Sequence, residues 1–394
     1  MAAGEGRSAS AEYGKTASFL AVGVGLTGLI TYAYFLIASH VLSKPDYGQI
    51  TVLWSAVFIT ISTLYRPVEQ LLSRHISERL EKGEPIGQEM RVASTIQVGL
   101  ALSFAVVALV LRGPIQDGLL EGNETLYWVF FGAVLFYAAS YFARGFLAGE
   151  RRFGPFTALI LSESVFRTSF AVLVAIGLLS GQSAVAIGIV AAPSLSLLVV
   201  PLAFLLRAKR EGRAKGSPEM PGREAEDISA ETPSSDRDRN LTPSRSDEDV
   251  SPDSEDFSMR KGGGFAGAVL VIMFSEQAFL NAGPLIARGL QGAAAAGFIF
   301  NVLMIARAPL QLFQAVSTSI LPHLTSLHTS TAPDSEREFH RSVRGVLLGI
   351  AGFASFTALV VLVAGPKLMQ IAFSDKFTYD RAGLLLVTLG MGLY

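Results

Sequence analysis

Arg66, Glu69, Glu163, Arg167, Glu276 and Arg307 stand inside stretches that otherwise carry almost no charge. Arg66 and Glu69 lie about one helical turn apart, with Pro67 between them. Glu163 precedes Arg167 by four residues, the order in which an acid and a base pair well on a helix. Gln277 follows Glu276, and Pro309 follows close after Arg307. Arginine keeps its charge and presents a planar fork of donors that matches phosphate or carboxylate. These residue types offer ion pairing and anion binding rather than bond making. Motifs for bond making fail in turn. The chain has no cysteine, which excludes disulfides, thiolate metal sites and Cys nucleophiles, and its five histidines form no HExxH. "SASAEYGKT" (Ser8–Thr16) ends like a phosphate loop, but Ala9 stands where the first Gly belongs, and no strand precedes it. No enzyme, cofactor or metal site is expected, and a proton, sodium or the membrane potential all stay open as a driving force.

The elements that must position these charges are read from hydropathy. Half the 394 residues are hydrophobic, 16% are charged and the mean hydropathy is +0.44; a soluble domain carries about 25% charged residues. A spanning helix needs about 20 apolar residues. Nine complete spans are expected, at roughly 17–40, 49–72, 92–112, 125–146, 155–179, 183–206, 264–287, 293–320 and 345–365, with a tenth beginning near 382. The first is too long for a signal-peptide core and should stay in the mature chain. Residues 207–261 are rich in Pro, Ser and charge and cannot bury enough surface to fold alone. The domains are thus an N-terminal transmembrane lobe (1–206), a disordered charged linker (207–261) and a C-terminal transmembrane lobe (262–394). A charge at the bilayer centre costs at least about 2.5–3.5 kcal/mol, so each intramembrane charge must face a partner or a wet cavity. Interhelical glue and function are both open readings of the two pairs, while Arg307 has no partner on its own helix. Asn123-Glu124-Thr125 is a glycosylation sequon, read as chance.

Lys and Arg set the orientation. With a cytoplasmic N-terminus, 23 lie in inner segments, 6 in outer segments and 3 inside spans. Arg144, Arg151 and Arg152 then mark the cytoplasmic end of span 4, where contact with anionic lipid or topology marking accounts for them. "LIASHVLSKPDYGQI" (Leu36–Ile50) and "LIARGLQGAAAAGFI" (Leu285–Ile299) match at five of fifteen positions, 249 residues apart. Both are a helix end, a short outer loop and a helix start, running in the same direction across the membrane. Parallel repeats place two lobes about an axis along the membrane normal, with a path between them. Six spans per lobe would then be required, so the 394 residues are expected to be a truncated reading of a longer polypeptide.

Three segments carry a family resemblance. "RPVEQLLSR" (Arg66–Arg74), "FARGFLAGERRFGPF" (Phe142–Phe156) and "GFIFNVLMIARAPLQLFQAVSTSILPHL" (Gly297–Leu324) resemble the polysaccharide-biosynthesis flippases of the MATE-like multidrug/oligosaccharidyl-lipid/polysaccharide exporter superfamily. They most resemble the actinobacterial type with a "PxEQxxxR" segment in span 2, over nearly all the chain except the linker. The resemblance implies an all-α polytopic fold of two pseudo-symmetric six-helix bundles, the second incomplete here. It implies movement of an undecaprenyl-diphosphate-linked oligosaccharide from the inner to the outer leaflet of the plasma membrane. Membrane lipids and the lipid-linked glycan are the implied partners, with a polysaccharide polymerase and glycosyltransferases as further candidates and no nucleic acid. The sequence departs from the pattern where an acidic residue often precedes the outer loop of spans 7–8: here the text is "NAGPLIAR", with Asn281 and Gly283. On this reading Arg66, Arg167 and Arg307 hold the diphosphate, Glu69, Glu163 and Glu276 share the pathway, and Pro67, Pro284 and Pro309 are bend points. Three Arg against three Glu leave no net charge in the pathway. The alternatives are a cation-coupled drug or metabolite exporter, a peptidoglycan-lipid flippase of the same fold and a non-transporting membrane scaffold. The first commonly has an acid in span 1 and the second an Arg there; Thr16–His40 contains neither.

Overall fold

The computed structural model describes residues 2–201, 259–307 and 335–373. Regular structure among these residues is entirely helical: α1 (Ala2–Val41), α2 (Lys44–Leu64), α3 (Arg66–Glu81), α4 (Gly87–Val110), α5 (Glu124–Gly149), α6 (Phe153–Ala175), α7 (Gly181–Ser196), α8 (Met259–Gln291), α9 (Ala293–Arg307) and α10 (Ser335–Phe373), with a π-helical turn at Pro114–Leu119. Eight described stretches are long and apolar enough to cross a membrane, and α9 is a shorter apolar helix. They coincide with the first nine expected spans, the eighth being seen as far as Arg307. The linker, the rest of the eighth span and the tenth lie outside the described residues. Helices suit such a chain because lipid offers no partner to a free backbone N–H or C=O. Side chains such as Leu102, Val106 and Val110 on α4 point outward, as a lipid-facing surface requires.

The helix starts are written locally. Ser43 holds extended backbone at the head of α2, its Oγ accepting from Asp46 N–H at 3.3 Å, and Pro45 fills the first turn, where no donor is needed. Asn123 does the same for α5, accepting from Leu126 N–H at 3.1 Å. The residue of the sequon is therefore a helix cap. The expected second span is two helices in a row. Tyr65 (φ −107°, ψ −27°) stands between α2 and α3, and Pro67 in the first turn of α3 withholds a donor from the preceding turn.

Helix association in lipid relies on close approach of small residues. Gly145 and Gly149 on α5 admit α3: a Cβ on Gly145 would stand 2.9 Å from Glu69 O, and one on Gly149 would stand 2.7 Å from Ile76 Cβ. In the first lobe α6 packs on α1 and α7, and α5 on α3 and α7, around fully buried Tyr34, Tyr127, Tyr137 and Ile61.

The two lobes meet where α2 lies against α8 and α9. The glycines paired by the sequence repeat touch each other there. A Cβ on Gly48 would stand 1.8 Å from the Ala293 carbonyl oxygen, and one on Gly297 would stand 3.1 Å from Gly48 Cα. Tyr47 OH donates to Asn301 Oδ1, Arg288 Nε lies 3.3 Å from Glu121 Oε1, and the Phe35 and Phe300 rings pack at 4.5 Å. The chain writes this helix end, loop and helix start twice because the two copies form the seam between the lobes.

Candidate functional site: a charged cavity between the lobes

Beyond this seam the lobes enclose a cavity of about 440 Å³. Helices α1, α2, α3, α5 and α6 supply one wall, and α8 and α9 the other. Five pairs of lining positions are 249 residues apart, among them Thr27 with Glu276, Tyr32 with Asn281 and Phe58 with Arg307. The register of the repeat thus extends into the cavity, where equivalent positions carry different chemistry in the two lobes.

In the first lobe Glu163 and Arg167 are buried and held by several partners, although Nε of Arg144 and of Arg167 has no acceptor among the described residues. Glu163 accepts from Tyr137 OH at 2.7 Å and Ser140 Oγ at 3.4 Å, pairs with Arg144, and lies 3.7 Å from Arg167 Nη1. Arg167 donates to Thr31 Oγ1 at 3.0 Å, and its guanidinium lies 4.4 Å from the Trp54 ring centre. The Glu163 and Arg167 side chains are 8% and 4% exposed. Desolvating an ion pair is costly, and these hydrogen bonds and the aromatic face offset that cost.

The second wall is looser. Glu276 Oε1 on α8 lies 3.9 Å from Arg66 Nη1 on α3, a contact that crosses between lobes. Arg307 Nη1 lies 3.4 Å from Asn281 Oδ1, and Asn281 Nδ2 donates to Gln277 Oε1 at 3.1 Å. Among the described residues no carboxylate forms an ion pair with Arg307 and nothing accepts from its Nε–H.

Among solved structures the chain is similar to one described as the inward-facing conformation of a multidrug resistance MATE family transporter of the MOP superfamily. The two are 11% identical over 93% of this chain and 79% of that one, with a TM-score of 0.56. This chain has the MATE fold. A Vibrio cholerae MATE transporter, VcmN, in mutant form is also similar, at 15% identity over 96% of this chain and 82% of that one, with a TM-score of 0.46. No protein-family model matches this sequence, and no curated protein matches it.

Within this MATE fold the expected site residues divide. Arg66, Glu163, Arg167, Glu276 and Arg307 come together in the cavity. Glu69 lies close to Arg144 and Arg66 without lining it, and Arg66 makes its ion pair with Glu276 in place of its neighbour on α3. Arg144 was expected at the cytoplasmic entrance with Arg151 and Arg152. It lies inside the cavity instead, because α5 continues to Gly149 and carries it more than a turn away from the helix end. Arg151 and Arg152 do stay at that end, where Arg151 pairs with Glu81 and Arg152 lies 3.5 Å from Glu150. The cavity walls therefore hold four arginines against two glutamates, a formal excess of two positive charges, or one if Glu69 is counted. The neutral balance expected from the sequence is corrected by the arrival of Arg144. Pro67 marks the α2–α3 bend and Pro284 lies within α8, which continues through it; Pro309 lies outside the described residues. Sequence reasoning passed over Tyr137, Ser140, Thr31 and Trp54, whose polar and aromatic side chains read as ordinary core within apolar spans.

Proposed function

We propose that this chain is an alternating-access transporter that moves a polyprenyl-diphosphate-linked oligosaccharide from the inner to the outer leaflet of the plasma membrane, with its N-terminus in the cytoplasm. The observation that carries the reading is the positive excess on the walls of a cavity between two MATE-fold lobes. A diphosphate needs paired donors, and Arg66 and Arg307 offer them from opposite lobes. A cavity of about 440 Å³ lies within the size range of ligand pockets and has room for the diphosphate, while the polyprenyl tail stays in lipid. Rocking of the lobes about the Gly48–Gly297 seam would expose the cavity to one side and then the other.

One observation favours a second reading, the cation-coupled exporter: Glu276 is an acid on the cavity wall with its side chain 28% exposed. An open charged cavity speaks against a non-transporting scaffold. The deciding experiment is lipid extraction from a strain lacking the protein. Accumulation of a lipid-linked oligosaccharide, identified by mass, is expected. Normal lipid-linked glycan together with new sensitivity to cationic compounds would replace this reading with the exporter.

A further inference from the structure

The two acids on the cavity walls are held very differently. Glu163 has four partners on two helices and is almost fully buried. If it moved away, the buried Arg167 would have no carboxylate among the described residues, and Arg144 would keep only Glu69 nearby. Among the described residues Glu276 has one ionic contact, and at 3.9 Å that contact is too long for a hydrogen bond. Its partner Arg66 is 40% exposed at the side chain and makes no closer ion pair among the described residues. At the equivalent place in the first lobe stands Thr27, which is neutral. The acid is thus a feature of one lobe and not a requirement of the repeat.

We propose that Glu276 is a displaceable counter-ion: it holds Arg66 across the lobes until an anionic phosphate group of the substrate takes its place. A phosphate on the Arg66 fork satisfies donors that a carboxylate at 3.9 Å leaves unused. It also places like charge beside Glu276, which turns away along the wall. Because Arg66 belongs to α3 and Glu276 to α8, the exchange removes a contact between lobes at the moment the cavity fills. Occupancy is thereby passed to the seam between α3 and α8. Glu276 also sets specificity, since only a ligand negative enough to compete with a carboxylate displaces it. The inference rests on the anion-transport reading above, and the test separates the two.

The test uses the purified full-length chain in detergent. Of its two tryptophans, Trp54 lines the cavity and Trp128 is removed as Trp128→Phe. Trp54 fluorescence then reports binding of inorganic pyrophosphate at low salt. Glu276→Gln is expected to tighten binding about tenfold, the scale of one charge contact at a part-exposed site. Arg66→Gln should weaken it, and adding Glu276→Gln to Arg66→Gln should bring little further gain, because the two act as a unit. Equal gain in both backgrounds would mean a general charge effect and would overturn the proposal. Pyrophosphate binding that depends on Arg66 but not on Glu276 overturns it while leaving the anion reading standing. Binding by none of the proteins overturns both. Tetraphenylphosphonium provides the opposite probe: if the parent binds it and Glu276→Gln does not, Glu276 is a cation ligand and the exporter reading replaces both.

Discussion

Glu163 and Arg307 carry opposite charges on the walls of one cavity, and their surroundings predict opposite consequences for removing them. Glu163 pairs with both Arg144 and Arg167, and the Arg167 side chain is 4% exposed. Glu163→Gln keeps the shape but leaves the buried Arg167 without a carboxylate among the described residues and Arg144 with Glu69 alone. Breaking a buried pair in this way costs about 3–5 kcal/mol. The variant is expected to melt several degrees below the parent in detergent, as measured by loss of the monodisperse species on heating. Arg307 has a single 3.4 Å hydrogen bond to Asn281 among the described residues. Arg307→Ala should therefore melt near the parent and lose transport, and Arg307→Lys should recover only part of it, because lysine restores the charge without the fork. Full complementation by Arg307→Ala would remove this residue from the pathway.

Among the helices, Gly48 on α2 approaches the start of α9 so closely that an added Cβ would stand 1.8 Å from the Ala293 carbonyl oxygen. The carbonyl oxygen of Ala293 leaves no room for a methyl group there. Backbone cannot yield as a flexible side chain does, so Gly48→Ala should part α2 from α9 and open the end of the molecule that carries the α1–α2 and α8–α9 loops. The absence of cysteine makes this measurable. A reporter cysteine at Thr27, on the cavity wall, should react faster with an impermeant thiol reagent on intact cells when Gly48→Ala is present. Gly25→Ala is the control, since nothing lies within 4 Å of a Cβ there. Unchanged labelling in Gly48→Ala at normal membrane levels would show that the lobes do not separate at this contact.

For the molecule as a whole, the structure places two groups of polar ends on opposite sides. Glu121, Arg288, Gln49 and Gln182 contact one another at one end, and Glu81, Arg151 and the loop at Lys82 lie at the other. If the N-terminus is cytoplasmic, single cysteines near Asp117 and Gln291 should react with an impermeant reagent on intact cells, and those near Lys82 and Ser234 should not. The reverse pattern would invert the proposed direction of transport while leaving the fold unchanged.

The spans were legible in the sequence because each depends on about 20 successive residues and on a solvent that satisfies no backbone group. The Glu163–Arg167 pair was legible for a similar reason, as one helix turn brings its members together. The repeat was legible at Gly48 and Gly297, although its meaning, two glycines in contact at the seam, required both lobes. The rest depended on how each helix is rotated about its own axis and which neighbour it meets. Arg66 found Glu276 more than 200 residues away, and Arg144 reached Glu163 from another helix. Hydropathy specifies that a segment crosses the membrane, but not which of its side chains face the path. Only packing of the lobes chose those faces, and with them turned an even balance of three Arg and three Glu into a cavity with a net positive wall.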